Sequence, residues 1–385
     1  MHAVTQDNSK LRKAASPLSV GLLGSLMLLG LGSMALAQSK SDPVEPEPVE
    51  YVRVCDAYGA GFFYIPGTET CLKVDGYIRI LHGFGEDPGT GTELKTWYVR
   101  NQTKLRFDAR TETELGTLRS FIEPEFNYTN GDNIFKQLTA YIELGGFRIG
   151  VADEIFGTWT GDAGGVVIDD VINYQSGYSN QISYTYDSGK GFSAMIGAEQ
   201  GSGSYDRIVG INPLTGAPVI DSTPYEIDGY TPHILGGLKY KQEWGGISAV
   251  AGYDSKQEEW AAKVRLDLKF NQIVSAFVMV GYQSDGDTTK FGPTFFKKPN
   301  WFAQWNGDYA VWGGVSSFIS TKAMVNLQVA YESAGTTSAS LNLLYRPVPN
   351  LTVGPEFVYT SYGDSNRGFG KDHSFGGLLG IQMDF

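Results

Sequence analysis

Phe375-Gly-Gly-Leu-Leu-Gly-Ile-Gln-Met-Asp-Phe385 alternates from one residue to the next. Phe375, Gly377, Leu379, Ile381, Met383 and Phe385 fall on one face, and Ser374, Gly376, Leu378, Gly380, Gln382 and Asp384 on the other, which is the period of a β-strand. An apolar stripe that runs on to an aromatic last residue is unlike the polar, fraying tail of a soluble domain. It suits a barrel in a membrane, where the last strand closes on the first and leaves no edge.

Working back from this strand, the same period recurs near 73–81, 97–110, 115–127, 137–145, 146–152, 181–187, 191–199, 233–240, 246–253, 260–268, 273–282, 309–318, 323–331, 338–345 and 351–361. With 375–385 that makes sixteen, an even number, as single-chain bacterial barrels require. The connections are expected to alternate. Short ones fall at Thr111–Glu114, Gly145-Gly146, Ser188–Lys190, Lys241–Gly245, Lys269–Gln272, Ile319–Lys322 and Arg346–Asn350. Long ones include 82–96, 153–180, 200–232 and 283–308. Tight turns on the periplasmic side and long loops outside are what an outer-membrane barrel has, whereas a soluble sandwich has no cause for the alternation. The strands carry one apolar face each: Ile182, Tyr184 and Tyr186 oppose Gln181, Ser183 and Thr185, and Leu341 and Leu343 oppose Ser340, Asn342 and Leu344.

Composition agrees without deciding. Among 385 residues there are 49 glycines and 13% aromatics, which fits a strand- and turn-rich chain and equally a soluble, exported all-β protein. Residues 1–37 read as a signal peptide: Lys10, Arg12 and Lys13, an apolar stretch from about Leu18 to Leu36, then Ala35-Leu36-Ala37 before Gln38. The alternative is a membrane anchor, which the Ala-x-Ala ending and the glycines in the stretch argue against. Residues 38–72 are expected to be a periplasmic unit, a Pro-Glu linker followed by a compact turn region, and 73–385 the transmembrane barrel.

The formal charge is −12, and removing the leader's net +2 (Lys10, Arg12 and Lys13 against Asp7) leaves −14. That argues against a nucleic-acid partner, which needs a basic surface. The two cysteines, Cys55 and Cys71, both lie in the exported part. A Cys55–Cys71 disulfide is favoured over free thiols or a metal site, because His82, His233 and His373 are scattered. No metal or other cofactor is expected.

Two charged features stand inside the barrel. Arg100, Lys104, Arg106 and Arg110 share a parity opposite Leu105, Phe107 and Ala109; Arg79 lies opposite Ile78 and Ile80, Arg119 opposite Leu118 and Ser120, and Arg148 opposite Phe147 and Ile149. A cation facing lipid at the midplane costs about 2–4 kcal/mol, so these side chains are expected to point into the lumen as a basic wall. The alternative is a solvated, salt-bridged face. The second feature follows the fifth strand. Residues 152–170 hold Asp153, Glu154, Asp162, Asp169 and Asp170 with no basic residue. They also hold Ile155, Phe156, Trp159, Val166, Val167 and Ile168, more apolar groups than an external loop needs. A loop folded into the lumen would anchor on them and turn its carboxylates toward the arginines; an ordinary surface loop is the alternative. Opposed charges across a narrow bore filter polar solutes and ions.

The stretch Val52-Arg-Val-Cys-Asp-Ala-Tyr-Gly-Ala-Gly-Phe-Phe-Tyr-Ile-Pro-Gly-Thr-Glu-Thr-Cys-Leu-Lys-Val-Asp-Gly-Tyr77 resembles the N-terminal signature of alphaproteobacterial outer-membrane porins of the Brucella–Rhizobium group. Glu112–Leu118, Tyr141–Phe147, Ile227–His233 and Tyr309–Gly314 match further, so the resemblance spans nearly all of the exported chain. It implies a sixteen-stranded, trimeric porin of the outer membrane with its third external loop folded inward as a constriction. It also implies that Phe385 is the signal read by the outer-membrane assembly machinery. The expected activity is passive diffusion of small hydrophilic solutes and ions, with weak cation preference, in a setting of outer-membrane lipid and lipopolysaccharide. A ligand-selective channel, or an adhesin or receptor barrel using loops 200–232 and 283–308, is the alternative. An enzyme is not expected: a hydrolase needs a nucleophile with an activating base, and no such set stands out around the three histidines.

Overall fold

The computed structural model describes residues 53–94, 98–211, 218–291, 294–297, 300–363 and 371–385; the leader at 1–37 and the linker at 38–50 lie outside them. Sixteen antiparallel strands form one sheet: β1 (Cys71–Gly85), β2 (Tyr98–Thr113), β3 (Gly116–Thr129), β4 (Asp132–Leu144), β5 (Phe147–Asp153), β6 (Tyr178–Asp187), β7 (Phe192–Glu199) and β8 (His233–Gln242), then β9 (Gly245–Asp254), β10 (Glu259–Lys269), β11 (Val274–Gln283), β12 (Tyr309–Ser320), β13 (Ala323–Glu332), β14 (Thr337–Tyr345), β15 (Leu351–Ser361) and β16 (His373–Asp384). Each pairs with the next, and β16 returns to β1 from Tyr77↔Asp384 to Gly85↔Gly376. Phe385 completes the seam: its amide donates to the Gly76 carbonyl at 3.0 Å, and the Gly76 amide donates to the Phe385 carbonyl at 3.1 Å. Every strand thus has a hydrogen-bonded neighbour on both sides, the closure that a membrane-spanning sheet requires.

All sixteen expected segments are strands. The connections differ from the expected alternation. On the external side, residues 130–131, 255–258 and 333–336 are as short as periplasmic turns. The first is a two-residue Asn-Gly turn with both residues at positive φ, Asn130 at 51° and Gly131 at 106°, the geometry that matches the twist of a hairpin. Here β4 starts at Asp132, well before the expected 137, while β3 runs on only to Thr129.

The faces separate as a lipid–water boundary demands. Ile182, Tyr184, Leu341, Phe357, Ile381 and Met383 are exposed on the outer surface, whereas Gln181, Ser183, Ser340, Asn342 and Glu356 point inward and are buried. Polar groups can turn inward at little cost only where the interior is wet or supplies hydrogen-bond partners.

Cys55 and Cys71 form the disulfide, with Cα atoms 6.0 Å apart. Cys71 is the first residue of β1, so the bond ties the turn unit directly to the barrel wall. Phe62 is buried against both sulfurs' residues, and the Arg110 guanidinium lies 5.1 Å from its ring centre. Closing a loop of this length stabilises by about 3 kcal/mol. Cys55→Ser is therefore expected to leave the barrel folded but expose residues 53–70 to protease. Digestion of the folded barrel with and without reductant checks this; equal resistance would contradict it.

Candidate pore constriction

The third external connection leaves the wall at Asp153 and turns at once. Glu154 caps a short helix, α1 (Ile155–Thr160): its carboxylate accepts the Gly157 amide at 2.8 Å and the Ser176 amide at 3.2 Å. The Gly161 amide closes the helix on the Gly157 carbonyl. From there the chain crosses the lumen and is fastened to the far wall. The Val167 and Ile168 amides each donate to the Glu356 carboxylate at 2.6 Å. Asn342 donates to the Gly165 carbonyl at 3.0 Å, Ser340 to Ile168 at 3.0 Å and Gln328 to Asp169 at 2.9 Å. The Trp312 indole donates to Ile172 at 2.9 Å, Lys263 to Tyr174 at 2.5 Å and Arg265 to Asp162 at 2.5 Å. Anchors thus come from β10 and from β12 to β15. Loop backbone that would be costly to bury is satisfied by inward polar side chains of the strands.

The basic residues stand on the opposite arc, β1 to β5. Most are paired. Lys104 meets Glu123 at 3.0 Å and Glu125 at 3.3 Å. Arg106 binds Glu123 and lies 3.4 Å from Asp75. Arg110 and Arg119 share Asp108 at 2.7 and 2.9 Å. Arg119 also reaches Glu143 at 2.8 Å, and Arg148 reaches the same carboxylate at 2.6 Å. These guanidinium groups also lie over inward rings, Arg119 on Phe121 at 4.9 Å and Arg148 on Tyr141 at 4.4 Å, which fixes their planes. The pattern on this stretch is therefore the salt-bridged face held as the alternative, with five carboxylates threaded among the cations.

Arg79 and Arg100 are different. Arg79 donates to two neutral amides, Gln382 at 2.6 Å and Gln102 at 3.5 Å. Neither Arg79 nor Arg100 forms an ion pair with a carboxylate among the described residues. They are near neighbours, since Arg79 pairs with Gln102 and Leu81 with Arg100 across β1 and β2.

The five acidic candidates also divide. Glu154 is only 1% exposed; it is the helix cap and does not face the bore. Asp153 is hydrogen-bonded by Tyr178, and Asp169 accepts the Tyr174 hydroxyl at 2.7 Å. Asp162 and Asp170 are exposed. The sequence reading missed Glu356, Asn342 and Gln328 as loop anchors. Their inward parity is readable, but the loop amides that Glu356 accepts and the loop carbonyls that Asn342 and Gln328 hold lie more than a hundred residues away along the chain.

Residues 42–376 match a family model described as the porin subfamily. The chain is 42% identical over 377 residues to porin Omp2b of Brucella canis, covering 94% of this chain and 98% of that one. It is 41% identical over 377 residues to porin Omp2b of Brucella abortus strain 2308, with the same coverage. Among solved structures, the outer membrane channel DcaP of Acinetobacter baumannii superposes with a TM-score of 0.61 at 16% identity, over 84% of this chain and 99% of that one. A triple mutant of the Rhodopseudomonas blastica porin superposes with a TM-score of 0.51 at 15% identity, over 82% and 100%.

Proposed function

The chain belongs to the porin subfamily and forms an outer-membrane porin channel, and we propose that its bore is an ion filter set between Arg79 and Arg100 on the wall and Asp162 and Asp170 on the inward loop. The observation that carries this reading is the fastening of residues 161–174 to β10 and β12–β15; on this reading the passage runs between the loop and the arc that bears the arginines. Lys104, Arg106, Arg110, Arg119 and Arg148 are neutralised by neighbours and hold the wall rigid. Charges without a counter-ion are the ones a passing solute feels. Small hydrophilic solutes and ions diffuse through passively, with weak cation preference from the exposed loop carboxylates.

Each unpaired charge acts on an ion ~4 Å away by about 1 kcal/mol at water-like dielectric, worth about fivefold in relative permeability. Replacing Arg79 and Arg100 together by alanine is expected to move the reversal potential under a KCl gradient toward cations. Asp162→Asn with Asp170→Asn is expected to move it toward anions. Planar-bilayer measurement of both variants checks the reading, and clear anion preference of the unaltered channel would overturn the cation assignment.

The proposal gives no residue a covalent role. His233, at the edge of β8, is fully buried and has both ring nitrogens engaged, by the Tyr225 carbonyl at 3.1 Å and the Ser255 amide at 3.2 Å. Assembly as a homotrimer fits the family, and the molecular mass of the detergent-solubilised, unheated protein tests it. The exported boundary at 37 and the assembly role of Phe385 belong to the same reading. N-terminal sequencing of the outer-membrane form tests the first.

A further inference from the structure

The last part of the connection between β11 and β12 turns inward. Asn300, Trp301, Phe302, Ala303 and Trp305 are at most 1% exposed, although an external loop would leave them wet. The Phe302 and Trp305 rings sit in sockets on the inner wall. A Cβ on Gly252 would lie 2.6 Å from the Phe302 ring, and one on Gly281 would lie 2.7 Å from Trp305. Their other sides meet the third loop and its anchors: Phe302 packs on Phe156 of α1 at 5.3 Å, and Trp305 on Trp312 at 5.6 Å between ring centres. The segment is wedged between β9–β11 and the loop.

It is also fixed by charge. Glu199, at the end of β7, is shared between the two segments. One of its oxygens accepts the Ile155 amide at 2.7 Å and the other the Trp301 indole at 2.8 Å. Asp254 accepts the Trp301 amide at 2.8 Å, and Glu332 accepts the Asn306 amide at 2.7 Å. Hydrogen bonds to buried carboxylates are among the stronger ones in proteins, and four of them are aimed at two loops that meet inside a barrel.

We propose that residues 300–306 are a second constriction element, a spacer packed between α1 and the inner faces of β9 and β11, beside the points where Lys263 and Arg265 hold the third loop directly on β10, and that it sets how far the loop stands into the bore. Trp301 is its positioning residue and Glu199 couples it to α1. Neither touches a passing solute; both act through the loop. This rests on the reading of the third loop as the edge of the aperture. Large aromatic side chains fill the gap, and truncating one leaves a void into which its neighbours relax.

The test uses the full channel in planar bilayers and in liposome-swelling assays with sugars of increasing size, on variants that keep heat-modifiable mobility on gels. Trp301→Ala is expected to raise the single-channel conductance and admit a sugar the unaltered channel excludes. Trp301→Phe keeps a ring against Tyr225 and His233 and is expected to retain the original size limit. Glu199→Gln keeps size but loses one acceptor, and is expected to add open-channel noise; it carries the test if Trp301→Ala does not fold. An original size limit in Trp301→Ala, or a quiet current in Glu199→Gln, overturns the spacer. If Glu356→Ala still unsettles the current, only the spacer has failed; if it too is silent, the reading of the third loop has failed with it.

Discussion

Glu356→Ala is expected to turn one steady conductance level into a current that fluctuates among several. Glu356 is 1% exposed and accepts the Val167 and Ile168 amides, one on each oxygen, at 2.6 Å. Asn342, which itself holds the Gly165 carbonyl, donates to it at 2.9 Å. Hydrogen bonds to a charged group contribute about 1.5–3 kcal/mol each. Alanine removes both and leaves two loop amides without an acceptor in a site closed to bulk water. The stretch around Val167 and Ile168 then exchanges between arrangements, because the carbonyl anchors from Asn342, Ser340 and Gln328 remain but its amides are released. Glu356→Gln should be intermediate, since its amide has one acceptor oxygen for two donors. Single-channel recording decides this, and a quiet current at the original level would show that the loop is held by other means.

Gly76→Val is expected to prevent closure of the barrel. Gly76 lies in β1 beside both neighbours of the seam, bonded to Phe385 on one side and facing Leu105 on the other. A Cβ there would fall 2.2 Å from the Lys104 carbonyl oxygen and 3.1 Å from the Phe385 ring. Backbone atoms cannot yield as a flexible side chain can, and overpacking of this kind costs roughly 1–3 kcal/mol. Here it falls where β16 must find β1. The loss of the fast-migrating, unheated band on gels would show the failure, and a normal band would contradict it. Phe385→Ala leaves the backbone pair with Gly76 in place. A loss of membrane insertion in that variant would therefore report on the aromatic ring, with the conductance of any inserted channels unchanged.

The strands were legible because lipid outside and polar surroundings inside write a period of two into the sequence. Where the reading stopped short, the cause is local. At the Glu125/Phe126 step the register of β3 with β4 shifts by a bulge, and Ile134 and Phe135, neighbours in sequence, are both exposed. A bulge breaks the alternation without ending the strand, so 128–136 read as a connection although Asn130-Gly131 already marked the turn.

The constriction was legible in outline. Apolar groups in 152–170 foretold the inward fold, and strand parity gave the arginines one common face. Pairing was not, because it depends on register: Lys104 stands beside Glu125 and Arg119 beside Glu143, and a sequence does not show which residues face across strands. Glu154 counts among the acidic residues of 152–170 in the sequence; glutamate is not a favoured helix cap, and nothing local distinguishes it from Asp162. The inward turn at 300–306 left a faint trace, Trp301, Phe302 and Trp305 in a loop otherwise taken as external. Its meaning depends on Glu199 and Asp254 from distant strands.

The central claim is that the exposed carboxylates of the third loop border the conducting path, and one measurement addresses it directly. Both native cysteines are locked in the disulfide, so Asp170→Cys supplies a lone thiol. Adding a positively charged methanethiosulfonate reagent to a single open channel of that variant should lower the current in discrete steps and move the reversal potential toward anions; the negatively charged reagent should narrow the current while moving it back toward cations. A current and reversal potential untouched by either reagent, with labelling confirmed by mass, would place Asp170 away from the path and contradict the account.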